Sequence, residues 1–292
     1  MINYSFLKQL IAALSLVAVT LLVYLLWARP AQLRWGATAE EINRPMPGDE
    51  LDPSPTFLAT RAITIAGTPE QIWPWLVQMG YGRAGYYGYD ILENLGSPRG
   101  MASATTILPE LQNFKVGDKV PISPAAENVF YAIEPNQYLI WAGQSGENPG
   151  GFTWALYPLD ENQTRLVSRI RWSFHSIRQP GVVALEILTE FADHLGVRKI
   201  LQGVKSRVEG NSEPPYVATI EFAVFMLALL TFLAALILTL IRPFSWGGWL
   251  AGLAAGLGWL LTWYAPIPWW GGLVLEMGIL WGLYQAFKQT VV

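Results

Sequence analysis

The sequence contains no cysteine and only two histidines among 292 residues. Without cysteine, disulfide bonds, thiolate nucleophiles and cysteine-ligated metal or iron–sulfur centres are excluded. The histidines, His175 and His194, are far apart in sequence, and no group of histidines and carboxylates has the spacing of metal ligands. We therefore expect no metal site and no cofactor, and we assign no catalytic residue.

Charge is also scarce. Charged residues make up 14% of the chain, against roughly 25% in an ordinary soluble domain. The deficit lies at the two ends, because residues 1–28 carry one charge and residues 217–287 carry three. The segment between them is mildly acidic and has no basic stripe, which argues against a nucleic-acid partner.

Long apolar runs occupy these charge-poor ends. The first, Phe6–Trp27, is long enough to cross a hydrocarbon core of ~30 Å. We expect an uncleaved anchor and not a signal peptide, because the run is too long and "WARPAQLRWG" offers no small-residue cleavage site. Three further runs, Tyr216–Ile241, Trp246–Tyr264 and Trp269–Phe287, bring the predicted transmembrane helices to four.

The chain thus divides into an N-terminal transmembrane anchor (residues 1–28), a soluble domain (residues 29–215) and a three-helix transmembrane region (residues 216–292). This predicts a multi-pass protein of the cell membrane, whose first partner is the lipid bilayer. Basic residues near the membrane are more numerous on the side of the domain, which favours a cytoplasmic domain. The short loops taken alone favour the reverse orientation.

Two features of the C-terminal spans point to close helix packing. Gly248, Gly252 and Gly256 recur every four residues on one helix face, and such small residues let helices approach closely in lipid. Either they pack within the three-helix region or they form a docking face for another membrane protein. Glu276 lies near the predicted mid-bilayer, where a carboxylate costs roughly 2.5–3.5 kcal/mol. It is either hydrogen-bonded inside the bundle or contacts a partner subunit or ligand.

The soluble segment has the pattern of an α+β domain. Alternation of period two in "FLATRAITIAG" predicts a strand, and Thr68 and Gln71 form a capping box that starts a helix. Five turn-punctuated strands follow, and a helix over "GVVALEILTEFADHLGVRKILQGVKSRVEG" closes the domain. Its predicted apolar stripe begins with Leu185, Leu188, Ala192 and Leu195, and the predicted polar side carries Glu186, Glu190, Asp193 and Arg198.

This order of elements resembles the helix-grip fold of the START-like superfamily, also called SRPBCC, which includes polyketide cyclases. The resemblance rests on "TPEQIWPWLVQMG", "GYYGYDILENLG" and "TRLVSRIRWSF", and it extends over about residues 35–208. It implies a bent antiparallel sheet around a long C-terminal helix, with an apolar cavity between them. Members of the superfamily bind lipids, sterols, hormones or polyketides there, and they share no set of catalytic residues.

Aromatic residues and one arginine are our candidates for the wall of such a cavity. The stretch "GYGRAGYYGYD" lacks the preceding strand of a phosphate-binding glycine loop, so a pocket wall or a solid core remains. Tyrosines and tryptophans offer apolar faces with a polar tip. The predicted ligand-binding residues are Trp73, Arg83, Tyr86, Tyr87, Tyr89, Trp141, Trp154 and Trp172.

The sequence therefore predicts a membrane-tethered module that binds a hydrophobic small molecule such as a lipid, isoprenoid, pigment or polyketide. One alternative is an accessory subunit of a larger membrane complex. A second is a cyclase or dehydratase that would use Asp90, Glu93 or Tyr87. The competing interpretation of that acidic pair is an ion pair with the strand arginines, which are Arg165, Arg169 and Arg171.

Overall fold

The computed structural model describes residues 4–93, 102–124, 126–143, 149–173 and 180–288, with side chains in the last range from residue 186 onward. His175 lies outside the described residues. The chain forms two compact units. We call Gln32–Ala218 the sheet unit, and Met1–Ala31 with Thr219–Val292 the helical unit.

The sheet unit is built on a six-stranded antiparallel sheet of order β1-β6-β5-β4-β3-β2. The strands are β1 (Phe57–Ile65), β2 (Lys119–Ser123), β3 (Ala126–Glu134), β4 (Tyr138–Ala142), β5 (Gly151–Pro158) and β6 (Thr164–Trp172). Five of these strands lie within the predicted runs, and β3 begins at Ala126, three residues before the run predicted for it. The first and last strands pair along their whole length, from Phe57 opposite Trp172 to Ile65 opposite Thr164. This long-range pairing closes the domain.

The helices of the chain, in order, are α1 (Tyr4–Leu33), α2 (Ala39–Asn43), α3 (Pro69–Gln78), α4 (Asp90–Glu93), α5 (Pro180–Val208), α6 (Pro215–Ile241), α7 (Trp246–Tyr264) and α8 (Trp269–Lys288). The first contains a π-helical segment at Tyr24–Ala28. The predicted capping boxes form at the starts of α2 and α3. At α2, Thr38 N donates to Glu41 Oε2, and Glu41 N donates to Thr38 Oγ1.

Period-two alternation divides the sheet into an inner and an outer face. Leu139, Trp154 and Leu166 lie on the inner face, and they join Leu201 and Val204 of α5 in one buried core. The long helix therefore packs against the inner face of the sheet. The domain is α+β with the helix-grip arrangement that the resemblance implied.

The predicted faces of α5 are wrong in its central part. Leu188 is 64% exposed and Ala192 is exposed, whereas Glu190 and Arg198 of the predicted polar side are buried. Leu195 is buried as predicted. The helix turns charged residues toward the sheet because Arg61 lies on the inner face of β1 and needs a counter-charge.

The proline-rich segment after α2 covers the outer face of the sheet. Its Met46 packs on Ala62, Ala155 and Val167. Arginines of β6 anchor this cover, since Arg165 pairs with Glu41, and both Arg169 and Arg171 pair with Asp49. Among the described residues, these arginines therefore form no ion pair with Asp90 or Glu93. The interpretation of that acidic pair as partners of the strand arginines is wrong.

The helical unit comprises α7, α8, all but the first turn of α6 and all but the end of α1. Among the described residues, two helices are long and apolar enough to cross a membrane, namely Tyr4–Leu33 and Pro215–Ile241. The four predicted spans all form helices, but α7 and α8 are not long and apolar enough to be counted with these two. They are rich in glycine and tryptophan, whose side chains add little hydropathy.

The glycine face of α7 packs inside the helical unit. A methyl group on Gly252 would lie 2.8 Å from Leu16 Cδ1, and one on Gly256 would lie 2.4 Å from Thr20 Oγ1. On Gly248 it would lie 3.0 Å from Phe287. Side chains of the same chain therefore pack against this glycine face. This agrees with internal packing, the first of the two alternatives for these glycines.

Glu276 of α8 is fully buried inside the same unit. Thr231 of α6 lies beside its carboxyl group. On the side of α7, a methyl group on Gly258 would come within 3.5 Å of Glu276 Oε1. The carboxyl group therefore faces neighbouring helices of its own chain.

Candidate functional site

The inner face of the sheet carries an aromatic cluster under α5. The Trp141 and Trp154 rings lie 5.7 Å apart, edge to face, and the Tyr86 ring lies 6.5 Å from Trp141. All three residues are buried and belong to one core with Ile200 and Leu201 of α5. The structure thus brings together three of the predicted ligand-binding residues on one apolar surface.

Four buried hydrogen-bond donors on this face have no acceptor among the described residues. They are Trp141 Nε1, Trp154 Nε1, Arg61 Nη2 and Asn128 Nδ2. Arg61 and Trp154 flank the small Ser168, because each is paired with it across neighbouring strands. A buried donor without a partner is uncommon and costs about 1–3 kcal/mol. The inner face therefore offers unused donors next to aromatic surface.

Arg61 was not predicted, and it connects the sheet to charged residues of α5. Its Nη1 donates to Asp193 Oδ2 at 2.5 Å, and its Nε donates to Gln32 O at 2.7 Å. Gln32 also contacts Glu190 Oε2 at 3.4 Å. A signal for this residue existed in the sequence, because the alternation of β1 places Arg61 among inward apolar positions.

His194 lies buried in the same region of α5. Burial, together with the positive charges of Arg61 and Arg198, lowers the pKa of His194 to about 2. The imidazole is therefore neutral at physiological pH. This agrees with a structural role, but the solvated position considered from the sequence is wrong.

The loop between α3 and α4 holds Tyr87 in the left-handed region, with φ of 64°. This conformation is uncommon for a bulky residue. Tyr87 OH donates to Trp75 O at 3.0 Å, and Tyr87 N donates to Ser103 Oγ at 2.9 Å. Gly203 of α5 permits the close approach, since a methyl group there would lie 2.0 Å from Tyr87 O.

Tyr86 is fixed in a similar way. Tyr86 OH donates to Pro121 O at 3.1 Å, so the hydroxyl is bonded to the edge strand β2. Burial raises the pKa of both Tyr86 and Tyr87, and both hydroxyls stay protonated. Each tyrosine presents an apolar ring to the core, and its hydroxyl donates a hydrogen bond to a backbone carbonyl oxygen.

The remaining predicted residues lie around the cluster in less uniform settings. Arg83 donates to the carbonyl oxygens of Met79 and Val77, and its guanidinium thus caps the end of α3. Tyr89 is buried, with Lys199 Nζ 5.6 Å from its ring centre. Trp73 packs at the edge of the main core.

Trp172 belongs to a separate part of the inner face. It packs with Phe57, Ala59 and Ile170 in a smaller core and is only partly buried. On the inner face, the pair of Arg61 and Ser168 lies between this core and the main one. The predicted set thus spreads over both apolar parts of the inner face.

Asp90 and Glu93 form a clamp for the loop. Asp90 Oδ1 accepts from Ser103 Oγ at 2.6 Å, and Asp90 Oδ2 accepts from Ser103 N at 3.1 Å. Glu93 Oε2 accepts from Tyr86 N at 3.3 Å. Both oxygens of Asp90 therefore accept a hydrogen bond from Ser103, which fits a structural position for this carboxylate. Ser103 gave no signal in the sequence.

Burial and the neighbouring charge of Asp90 raise the pKa of Glu93 to about 8. Such a shifted carboxyl group is one mark of functional sites. Here the shift accompanies a structural position, because the carboxylate accepts hydrogen bonds from the backbone of the same loop. No group of three or more potential metal ligands occurs among the described residues.

Comparison with known proteins gives likeness at the level of fold. No protein-family model and no curated protein matches the sequence. A polyketide cyclase-like protein from Corynebacterium glutamicum is 15% identical, with 52% of this chain covered, 91% of that chain covered and a TM-score of 0.34. The self-sacrificing resistance protein CalC from Micromonospora echinospora is 10% identical, with coverages of 53% and 96% and a TM-score of 0.32.

A protein from Mesorhizobium loti is 16% identical, with 54% of this chain and 100% of that chain covered and a TM-score of 0.32. Sequence identities this low do not indicate which ligand a protein binds or which reaction it catalyses. The sheet order and the long helix on its inner face are those of a helix-grip arrangement.

Proposed function

We propose that the sheet unit binds a hydrophobic small molecule that carries a carbonyl or carboxylate oxygen. The observation that carries this proposal is the set of unused donors at Trp141, Trp154 and Arg61, buried beside aromatic surface. A ligand oxygen would supply the missing acceptor, and the aromatic rings would bury an apolar body. Lipids, isoprenoids, pigments and polyketides all include molecules of this kind.

We further propose that four transmembrane helices hold this domain at the bilayer. The support comes from the path of α7, which runs beside α1. Trp249 Nε1 donates to Ser15 Oγ near one end of α7, and the Tyr264 ring lies 6.2 Å from Tyr24 at the other. If α1 crosses the hydrocarbon core, the helix beside it extends over much of the same depth. A tether of this kind keeps the domain close to ligands dissolved in the membrane.

The test is mass spectrometry of organic extracts from the purified full-length protein. We expect one class of apolar molecule bearing an acceptor oxygen, present in near-stoichiometric amount. Arg61→Lys is the matched variant, because it keeps a positive charge for Asp193 and removes the Nη2 donor. Loss of ligand from a folded variant supports the proposal. Extracts that hold only bulk membrane lipid, in equal amount from both proteins, argue against it.

A further inference from the structure

A pocket with a volume of about 470 Å³ opens in the helical unit, away from the inner face of the sheet. It lies between the beginning of α1 and the segment that joins α6 to α7. Most of its wall is apolar, and its lining includes Ile11, Phe244, Trp246, Trp249, Ser15 and Lys8. Two hydrogen bonds join its sides, from Gln9 Nε2 to Arg242 O and from Trp249 Nε1 to Ser15 Oγ.

The charge at this end of the helical unit is positive. Lys8 lies near the beginning of α1, Arg242 directly follows the end of α6, and Lys288 is the last residue of α8. The hydrogen bond from Gln9 to Arg242 joins the first two of these ends, and the approach of Gly248 to Phe287 joins the beginning of α7 to the end of α8. Three cations therefore share one end.

No acidic side chain opposes them among the described residues of this end. The acidic side chains of the helical unit are Glu221, near the beginning of α6, and Glu276, within α8. In the described part of the chain, Lys8 is exposed and forms no salt bridge, and its ammonium group lies 4.7 Å from the centre of the Tyr4 ring. A basic group thus stands at the rim of an apolar pocket without a counter-ion.

We propose that this pocket binds an anionic phospholipid, with the headgroup phosphate at Lys8 and an acyl chain along the apolar wall. The proposal rests on the membrane insertion of these helices proposed above. Trp246 is 71% exposed beside the pocket, and exposed tryptophan next to lysine is typical of the depth at which headgroups lie. Lysine and arginine attract anionic lipids at this depth. A purely apolar ligand would leave Lys8 unused, and a small soluble anion would leave the apolar wall unused.

The experiment uses the full chain in detergent, stripped of lipid and titrated with phosphatidylglycerol or phosphatidylcholine while thermal unfolding is followed. We expect phosphatidylglycerol to raise the melting temperature at lower concentrations than phosphatidylcholine. Lys8→Gln should weaken the phosphatidylglycerol effect about five-fold, the value for one lysine near a membrane surface. Lys288→Gln is the matched control, because it removes a charge at the same end but outside the lining of the pocket.

Equal weakening in the two variants would mean diffuse attraction to the basic end and would overturn the site. Saturation of the same shift by inorganic phosphate alone would mean a site for a soluble anion, which also contradicts the proposal. Flotation with vesicles of phosphatidylcholine tests membrane insertion separately. If the chain does not float with them, the membrane tether fails and this inference fails with it. If it floats but shows no preference for phosphatidylglycerol, only the inference fails.

Discussion

At the scale of single residues, the indole N–H groups of Trp141 and Trp154 are the most direct probes of the inner face. Trp154→Phe keeps an aromatic ring but removes a buried donor that has no acceptor in the described structure. Removal of an unpaired donor does not cost stability by itself. We therefore expect the ligand-free variant to lose at most about 1.5 kcal/mol, from the smaller ring alone.

The same variant should retain ligand less well, by up to about ten-fold, the value of one hydrogen bond. Ligand per protein, measured by mass spectrometry after an identical purification, reports this loss. Trp35→Phe is the control, because Trp35 packs at the edge of the same core and is not among the donors without an acceptor. Equal ligand content in all three proteins would rule out the indole as a contact.

Glu93 makes the stability of the loop depend on pH. Its pKa is raised from 4.5 to about 8 in the folded protein, so the folded state binds more protons than the unfolded state between these values. Stability therefore falls as pH rises from about 4.5 to 8, by at most about 1.4 kcal/mol per pH unit from this group. Above pH 8 the contribution is constant.

Glu93→Gln keeps an acceptor for Tyr86 N and cannot ionise. We expect a higher melting temperature than the parent at pH 8 and a smaller difference at pH 5. Melting curves of the parent and the variant across this range provide the measurement. A parallel pair of curves, with a constant offset at every pH, would show that Glu93 does not titrate in the folded loop.

At the scale of elements, the contact between α5 and the loop at Tyr87 depends on a glycine. A methyl group at Gly203 would lie 2.0 Å from Tyr87 O and 2.7 Å from Tyr87 Cβ. Since Tyr87 already occupies a restricted backbone conformation, the loop cannot retreat freely. We expect Gly203→Ala to lower the free energy of unfolding by about 1–3 kcal/mol, the usual cost of overpacking.

Gly196 of the same helix provides the control for this change. Nothing lies within 4 Å of a methyl group at that position, so alanine there only improves helix propensity. Gly196→Ala should raise stability by about 0.5–1 kcal/mol. The decisive result is the opposite sign of the two effects in thermal unfolding, and two effects of the same sign would be inconsistent with the contact.

The elements themselves were largely predictable. Six strands were predicted and the described residues form six, because turn residues separate the runs along the chain. The exposed side of α5 was not predictable from amphipathicity. In its central part the buried side carries Glu190 and His194 opposite Arg61, so the apolar stripe is interrupted there.

The candidate site was predictable in its aromatic part and not in its polar part. Trp141 and Trp154 stand on separate predicted strands, and the structure places both on the inner face of the sheet. Ser103 hydrogen-bonds to Asp90, which is 13 residues away in sequence. Local sequence patterns do not predict contacts at that separation. The packing of the segment around Met46 on the outer face was not predicted for the same reason, because its contacts are with strands that are distant in sequence.

At the scale of the whole molecule, the number and direction of the transmembrane helices determine on which side of the membrane the sheet unit lies. The absence of cysteine makes this directly measurable, because any introduced cysteine is the only one in the chain. Three exposed positions suit the purpose: Glu161 in the β5–β6 turn, Pro243 between α6 and α7, and Pro266 between α7 and α8. Each is replaced singly by cysteine and treated with a membrane-impermeant maleimide, before and after cells are permeabilised.

Four spans place Glu161 and Pro266 on one side of the membrane and Pro243 on the other, because α7 and α8 each cross once. If only α1 and α6 cross, Pro266 must label together with Pro243. With a cytoplasmic domain, as the excess of basic residues near its membrane ends favours, Pro243→Cys is labelled in intact cells and the other two only after permeabilisation. Labelling of Glu161→Cys in intact cells would instead place the domain outside, where it would receive its ligand from the outer leaflet or from the surroundings.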